Sequence, residues 1–313
     1  MIAPAPGTPI GERFEVNLLR RRVLRSGALP VAAALAALSG CTLEPDADHA
    51  GDDAPRSLPL AKPVRTAWVL GSGGPRGFVH VGVLRALDEL GLVPDLIVGA
   101  SVGAVVGGLR AAGRSVGEIE SLALALNPLS VARLALGATE RLSGAPVAEL
   151  MREQAPQALI ERLPIAFACV AARQRDAAAV AFTAGDLGLA VQASAAIEGQ
   201  FAPVRILGER YVDADWVAPL PVRIARRLGA TRVLAVDASV HLERAPPGAA
   251  RYREADLKKQ ALVEADARHA DLVIKPDFGY WVSFSRDFRE RALAAGYRDT
   301  MPLAGRLREL HRA

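Results

Sequence analysis

The chain has 313 residues, 51% of them hydrophobic and 23% charged, enough apolar material for one large α/β domain or two small ones. Its net charge is +4, but residues 1–40 hold five arginines against two glutamates, so the remainder is close to neutral and a nucleic-acid-binding surface is excluded. Two cysteines, Cys41 and Cys169, cannot build a disulfide scaffold, and the five scattered histidines lack zinc-ligand spacing, so neither a metal nor a cofactor is expected.

The first segment reads as an address. Arg20, Arg21, Arg22 and Arg25 precede an apolar run of about ten residues, 29–38. A bilayer crossing takes ~20 such residues, whereas a signal-peptide core takes about this many. The run ends in Leu38-Ser39-Gly40-Cys41, which resembles the lipobox of bacterial lipoproteins. The resemblance implies removal of residues 1–40, a diacylglycerol on the Cys41 thiol and an acylated amine. Thr42 rather than aspartate after the cysteine resembles the outer-membrane sorting pattern. The expected location is the bacterial cell envelope, lipid-anchored at the outer membrane and facing the periplasm. Residues 41–63 are rich in Asp, Pro and Ala without amphipathic period, and are expected to form a disordered tether. The folded domain is expected over 64–313.

In that body, apolar runs alternate with helical patterns. Strands are expected over 67–71, 96–100, 165–171, 178–183, 210–212, 233–237 and 272–275. Helices are expected over 75–90, 102–112, 116–126, 146–154, 221–228, 254–268 and, in pieces, 286–312. Alternation of this kind with near-continuous apolar strands predicts an α/β fold, a mostly parallel central sheet with helices on both faces. The first helix is well specified: Pro75 suits its first turn, and Val79, Val83, Ala86, Leu87 and Leu90 recur at helical spacing before Gly91 stops it. The apolar stretch 121–138 reads as core, as the lining of an acyl groove or as a surface that lies on lipid.

Gly99-Ala100-Ser101-Val102-Gly103 is a G-x-S-x-G pattern after a strand and before a helix, the setting of a nucleophile elbow. A sharp turn there lifts the Ser101 hydroxyl clear of the sheet, and side chains two residues before or after would collide, so both positions are glycine. The helix N-terminus favours developing negative charge at Ser101. A serine nucleophile also needs donors for an oxyanion and a base. Gly71, Gly73 and Gly74 end the first strand and free the backbone to turn N–H groups toward an anion. A dinucleotide loop starting at Gly71 would need Gly or Ala where Arg76 stands, so that reading fails.

With these residues the chain resembles the patatin-like phospholipase family. Gly73-Gly74-Pro75-Arg76-Gly77 matches its G-G-x-R-G oxyanion motif, and residues 99–103 match its nucleophile motif. Residues 192–204 look like the segment ahead of its catalytic aspartate, and 211–237 fit its D-G-G block with the helix and strand that follow. The resemblance implies a three-layer sandwich with no cofactor. It further implies a Ser101–Asp213 dyad, an oxyanion hole at Gly73 and Gly74, and hydrolysis of phospholipid or other fatty-acyl esters. Arg76 is expected to fix the loop or attract a phosphate-bearing substrate, with Gly77, Gly99 and Gly103 supporting the turns. The departure is Asp213-Ala214-Asp215 in place of D-G-G, where Asp215 either shares a face with Asp213 or points to water. Two other readings stay open: a lipid-binding or scaffold protein that has lost activity, and a triad esterase using His241 or His269.

Overall fold

The computed structural model describes residues 47–127, 132–134, 142–155 and 159–312. Residues 1–40, Cys41, the first part of the expected tether and much of the 121–138 stretch lie outside these. In chain order the described elements are β1 (Thr66–Leu70), a 3-10 turn (Gly74–Gly77) running into α1 (Phe78–Glu89), β2 (Leu96–Ala100), α2 (Val102–Ala111) and α3 (Val116–Ala125). Then come β3 (Arg133–Leu134), β4 (Leu142–Ser143), α4 (Ala145–Gln154), β5 (Ala166–Arg173), β6 (Ala178–Phe182), α5 (Leu187–Ser194), β7 (Val204–Ile206) and β8 (Glu209–Asp213). The chain continues through α6 (Val222–Arg227), β9 (Arg232–Val236), α7 (Arg253–Ala267), β10 (Leu272–Ile274), α8 (Arg286–Thr300) and α9 (Ala304–His311).

One sheet, ordered β10-β9-β1-β2-β5-β8-β7 with β6 also on β5, forms the centre. Pairings from β10 through β5 are parallel, and those of β5 with β6 and β8, and of β8 with β7, are antiparallel. Alternate strand residues feed two cores. Trp68, Leu70, Ile97 and Phe167 join one face with Val83, Leu109, Met151 and Leu293 of the helices. Val69, Val98, Ala168 and Val170 join the other with Val222, Ile224 and Val263. The fold is therefore a mostly parallel α/β sheet between helical layers, and strands covered on both faces explain the unbroken apolar runs.

Leu70 pairs with both Gly99 and Val236, so β1, β2 and β9 end at one level. The chain leaves β1 toward β2 and later returns to β9 on its other side. Such a reversal opens a crevice at the carboxyl ends of the strands.

The short strands β3, β4 and β7 are absent from the sequence reading, and three further features differ from it. The helix expected from 75 starts as a 3-10 turn, because Gly74 and Pro75 sit where the chain is still turning. The helix α5 went unread. Its residues Leu187-Gly188-Leu189-Ala190-Val191 are small or apolar on every side and buried all round, which removes the periodic signal; the Asp186 carboxylate caps it by accepting from the Leu189 N–H at 2.6 Å. The described part of the expected tether is no tether. His49 exchanges backbone hydrogen bonds with Arg205 and Leu207, Arg56 does so with Thr183 and Ala184, Leu58 bonds the Thr183 hydroxyl, and Ala54 is buried in the core. A polar segment without period binds here because the sheet presents unpaired edge groups that a passing backbone satisfies.

Candidate active site

Ser101 stands at the N-terminus of α2 with φ 55° and ψ −126°, a left-handed conformation costing a non-glycine residue about 1–3 kcal/mol. Its surroundings hold it there. A Cβ on Gly99 would lie 2.5 Å from the Gly103 carbonyl oxygen, and one on Gly103 would overlap the Leu70 carbonyl oxygen. The expected reason for both glycines thus holds, with β1 supplying one obstacle. The Ser101 N–H donates to the Ser194 hydroxyl at 2.8 Å, and that hydroxyl donates to the Val170 carbonyl at 2.6 Å.

The Ser101 hydroxyl donates to Asp213 Oδ2 at 2.5 Å. Asp213 ends β8, whose pairing with β5 sets it opposite Ala171, one residue beyond the Ala100–Val170 pair that closes β2. Its own N–H bonds the Ala196 carbonyl at 2.9 Å. Both Ser101 and Asp213 are buried. Burial, and then the neighbouring charge of Asp215, push the Asp213 carboxyl up to about 7 against hydrogen bonds and Lys259 that pull it down.

Asp215 does not point to water. Its carboxylate accepts from the Ser72 hydroxyl and, at 2.5 Å, from Lys259 Nζ, while its N–H donates to Asp213 Oδ1 at 2.9 Å. It therefore links the glycine loop, the turn after β8 and α7. Ala214 is fully buried.

The Gly71 and Ser72 N–H groups bond the Val236 and Pro219 carbonyls, whereas those of Gly73 and Gly74 take no protein acceptor among the described residues. Gly77 abuts Val102, where any Cβ would overlap that side chain, so the glycine loop packs directly on the start of α2. Arg76 is buried. It donates to the carbonyls of Ala238 (3.0 Å), Gly279 (2.7 Å) and Tyr280 (3.2 Å) and lies over the Phe278 ring, so it fixes the loop. His80 is fully buried, bonded to the Gly71 carbonyl at 2.8 Å and pushed down to about 4 by burial, a neutral prop under the same loop. His241 bonds Glu243, and among the described residues no histidine hydrogen-bonds Ser101 or Asp213. Cys169 is buried in β5, its thiol pushed up by burial.

The structure thus joins Ser101 and Asp213 at the carboxyl ends of the strands and packs the glycine loop on the start of α2 through Gly77 and Val102. Sequence reading missed Ser194, Ser72 and Lys259, whose partners lie 93, 143 and 44 positions away. Only Ser194 carried a signal, its place inside the segment 192–204.

A family model described as patatin-like phospholipase matches residues 68–226, about half of the chain. An uncharacterized NTE family protein of Mycobacterium tuberculosis is 37% identical over 175 residues, 55% of this chain and 48% of that protein. The patatin-like phospholipase domain-containing protein 6 of Homo sapiens is 32% identical over 181 residues, 55% of this chain and 13% of the human protein. The match therefore spans half or less of the length of these curated relatives. Among solved structures, VipD from Legionella pneumophila superposes with a TM-score of 0.48 at 16% identity, covering 79% of this chain and 68% of that one.

Proposed function

The chain belongs to the patatin-like phospholipase family, and from that premise we propose that it is a serine acyl-ester hydrolase of phospholipase or lysophospholipase A type, acting through a Ser101–Asp213 dyad. The observation that carries the reading is the 2.5 Å hydrogen bond between Ser101 and Asp213, made by a serine held at φ 55°. As Ser101 Oγ attacks the acyl carbonyl carbon, its proton passes to Asp213 Oδ2. The oxyanion is received by the Gly73 and Gly74 N–H groups, each such donor being worth about 3–4 kcal/mol of barrier. Asp213 then gives the proton to the leaving alcohol, and a water deprotonated by Asp213 releases the fatty acid. A carboxyl raised to about 7 is a far better base than one at its ordinary value of 3.8. The test is an ester-substrate panel together with fluorophosphonate labelling: acylation of Ser101 with turnover supports the reading, and an unlabelled, inert wild type leaves the binding-protein alternative.

The charge of Asp215 makes a pH prediction. Asp213 must be ionised to act as base, so kcat/KM rises with pH through its pKa. Asp215→Asn removes a like charge and should move that acid limb to lower pH, whereas Lys259→Met removes an attracting charge and should move it to higher pH. Unmoved limbs in both variants would mean that the pair is only structural.

We also propose that Cys41 carries lipid and that residues 1–40 are removed, on the basic front, short apolar run and lipobox. Intact mass of membrane-fraction protein should report a chain starting at a lipidated Cys41, and Cys41→Ser should leave an uncleaved form; a free Cys41 thiol in wild type counts against it.

A further inference from the structure

Among the described residues, a group of large apolar side chains lies outside both cores. Trp281 and Val282 are each 51% exposed, and Trp216, Tyr252, Leu257 and Phe284 are also exposed. Contacts with α7 and the turn before it tie several of them together. Tyr252 and Trp281 meet edge to face at 6.4 Å, Trp281 meets Tyr280 at 5.1 Å, and the Tyr280 hydroxyl bonds Asp256 beside Leu257 on α7. The chain has three tryptophans; Trp68 is buried in the sheet, and the other two are in this cluster. Exposed aromatic residues in such number mark an interaction surface.

The charge around the cluster selects the partner. Lys258 Nζ lies over the Trp216 ring at 5.5 Å and the Arg251 guanidinium over the Tyr252 ring at 4.7 Å. Arg253 is exposed beside them and Arg286 follows Phe284, against the exposed carboxylates Glu254 and Asp287, of which Asp287 is paired with Arg291. Tryptophan and tyrosine flanked by Lys and Arg suit the headgroup level of a bilayer, where the rings enter the acyl boundary and the cations are attracted by anionic lipid.

The cluster also rises from the segments that build the site. Trp216 closes the 3-10 turn that begins one residue after Asp213, Lys259 next to Lys258 bonds Asp215, and Arg76 binds the carbonyls of Gly279 and Tyr280 just before Trp281. We propose that this aromatic and basic ridge docks the protein on an anionic phospholipid surface, bringing the dyad to the acyl esters held there. The proposal rests on the acyl-ester reading above.

Trp216 and Trp281 report it directly. The full chain is mixed with vesicles of phosphatidylcholine alone or with added phosphatidylglycerol, and tryptophan emission and quenching by brominated lipid are followed. Residues 1–67 contain no tryptophan and Trp68 is buried, so an N-terminal anchor is silent in this signal. A blue shift and quenching on the anionic vesicles, weakened by salt, are expected. The triple variant Trp281→Ser, Val282→Ser, Phe284→Ser should reduce the signal and lower hydrolysis of vesicle phosphatidylglycerol at least about tenfold, with hydrolysis of a water-soluble short-chain ester kept within about twofold. No spectral change on either vesicle overturns the proposal, and an equal change on both overturns the anionic assignment. A wild-type dimer that the triple variant dissolves makes the ridge a protein interface and also overturns it. A wild type inert toward the soluble ester, yet quenched on vesicles, overturns the hydrolase reading and leaves the docking surface standing.

Discussion

Ser101→Ala and Asp213→Asn are each expected to lower kcat/KM for a short-chain ester by at least ~10³-fold while the protein stays folded. The double variant should be no worse than either single one, because both remove the same proton transfer across the 2.5 Å Ser101–Asp213 hydrogen bond. His241→Ala and His269→Ala should stay within about tenfold, or roughly 1.4 kcal/mol of barrier. A triad requires the opposite, with one histidine costing as much as the serine. His80→Ala is a poor control, since that ring is buried and holds the Gly71 carbonyl.

Asp213→Asn carries a second, independent readout. The fold raises this carboxyl from 3.8 to about 7, so it favours the neutral form. The stability this gives is fully present below the unfolded value and is lost as pH rises through the folded one. The isosteric amide escapes that loss. Asp213→Asn should therefore melt above wild type at about pH 8 and close to it at about pH 4, an inactive but sturdier protein. A variant that melts lower at both pH values would mean that the carboxylate is ionised and stabilising in the native state.

The second large effect concerns stability. Gly82 of α1 and Gly296 of α8 lie where the two helices cross: a Cβ on Gly82 would overlap the Leu293 carbonyl oxygen, and one on Gly296 the Val79 carbonyl oxygen. Helix propensity alone makes Gly→Ala favourable by about 0.8–1 kcal/mol. Here the added methyl meets backbone, which cannot swing away as a side chain does, so α8 must lift from α1. Gly82→Ala and Gly296→Ala should each cost about 2–3 kcal/mol, read as a lower midpoint of urea unfolding with an unchanged slope. Gly117→Ala in α3 is the matched control. Its Cβ would meet nothing, and a gain of a few tenths to 1 kcal/mol is expected. Equal behaviour at the three positions would show that propensity, and not the crossing, decides.

Much of the architecture is legible in the sequence. The runs at 67–71, 96–100 and 233–237 became β1, β2 and β9 within a residue, because strands covered on both faces need uninterrupted apolar chain. Pro302, in the 3-10 turn Met301–Leu303, divides the C-terminal helical pattern into α8 and α9. Ser101 was legible for a steric reason: the turn that exposes its hydroxyl excludes a Cβ at 99 and 103, so the constraint is written within five residues. The polar segment that includes His49 and Arg56 was not legible, since what binds it is the sheet edge and not its own composition. Asp215 was ambiguous for the same reason. Two carboxylates two residues apart can face each other or water. The choice fell to Ser72 and Lys259, brought from 143 and 44 positions away by β1 and α7. Sequence by itself determined the short-range terms, which are apolar period, turn sterics and the order of the motifs. Tertiary structure decided the proton affinity of Asp213, the grip on the glycine loop and the exposure of Trp216 and Trp281, because burial and charge depend on neighbours that only folding assembles.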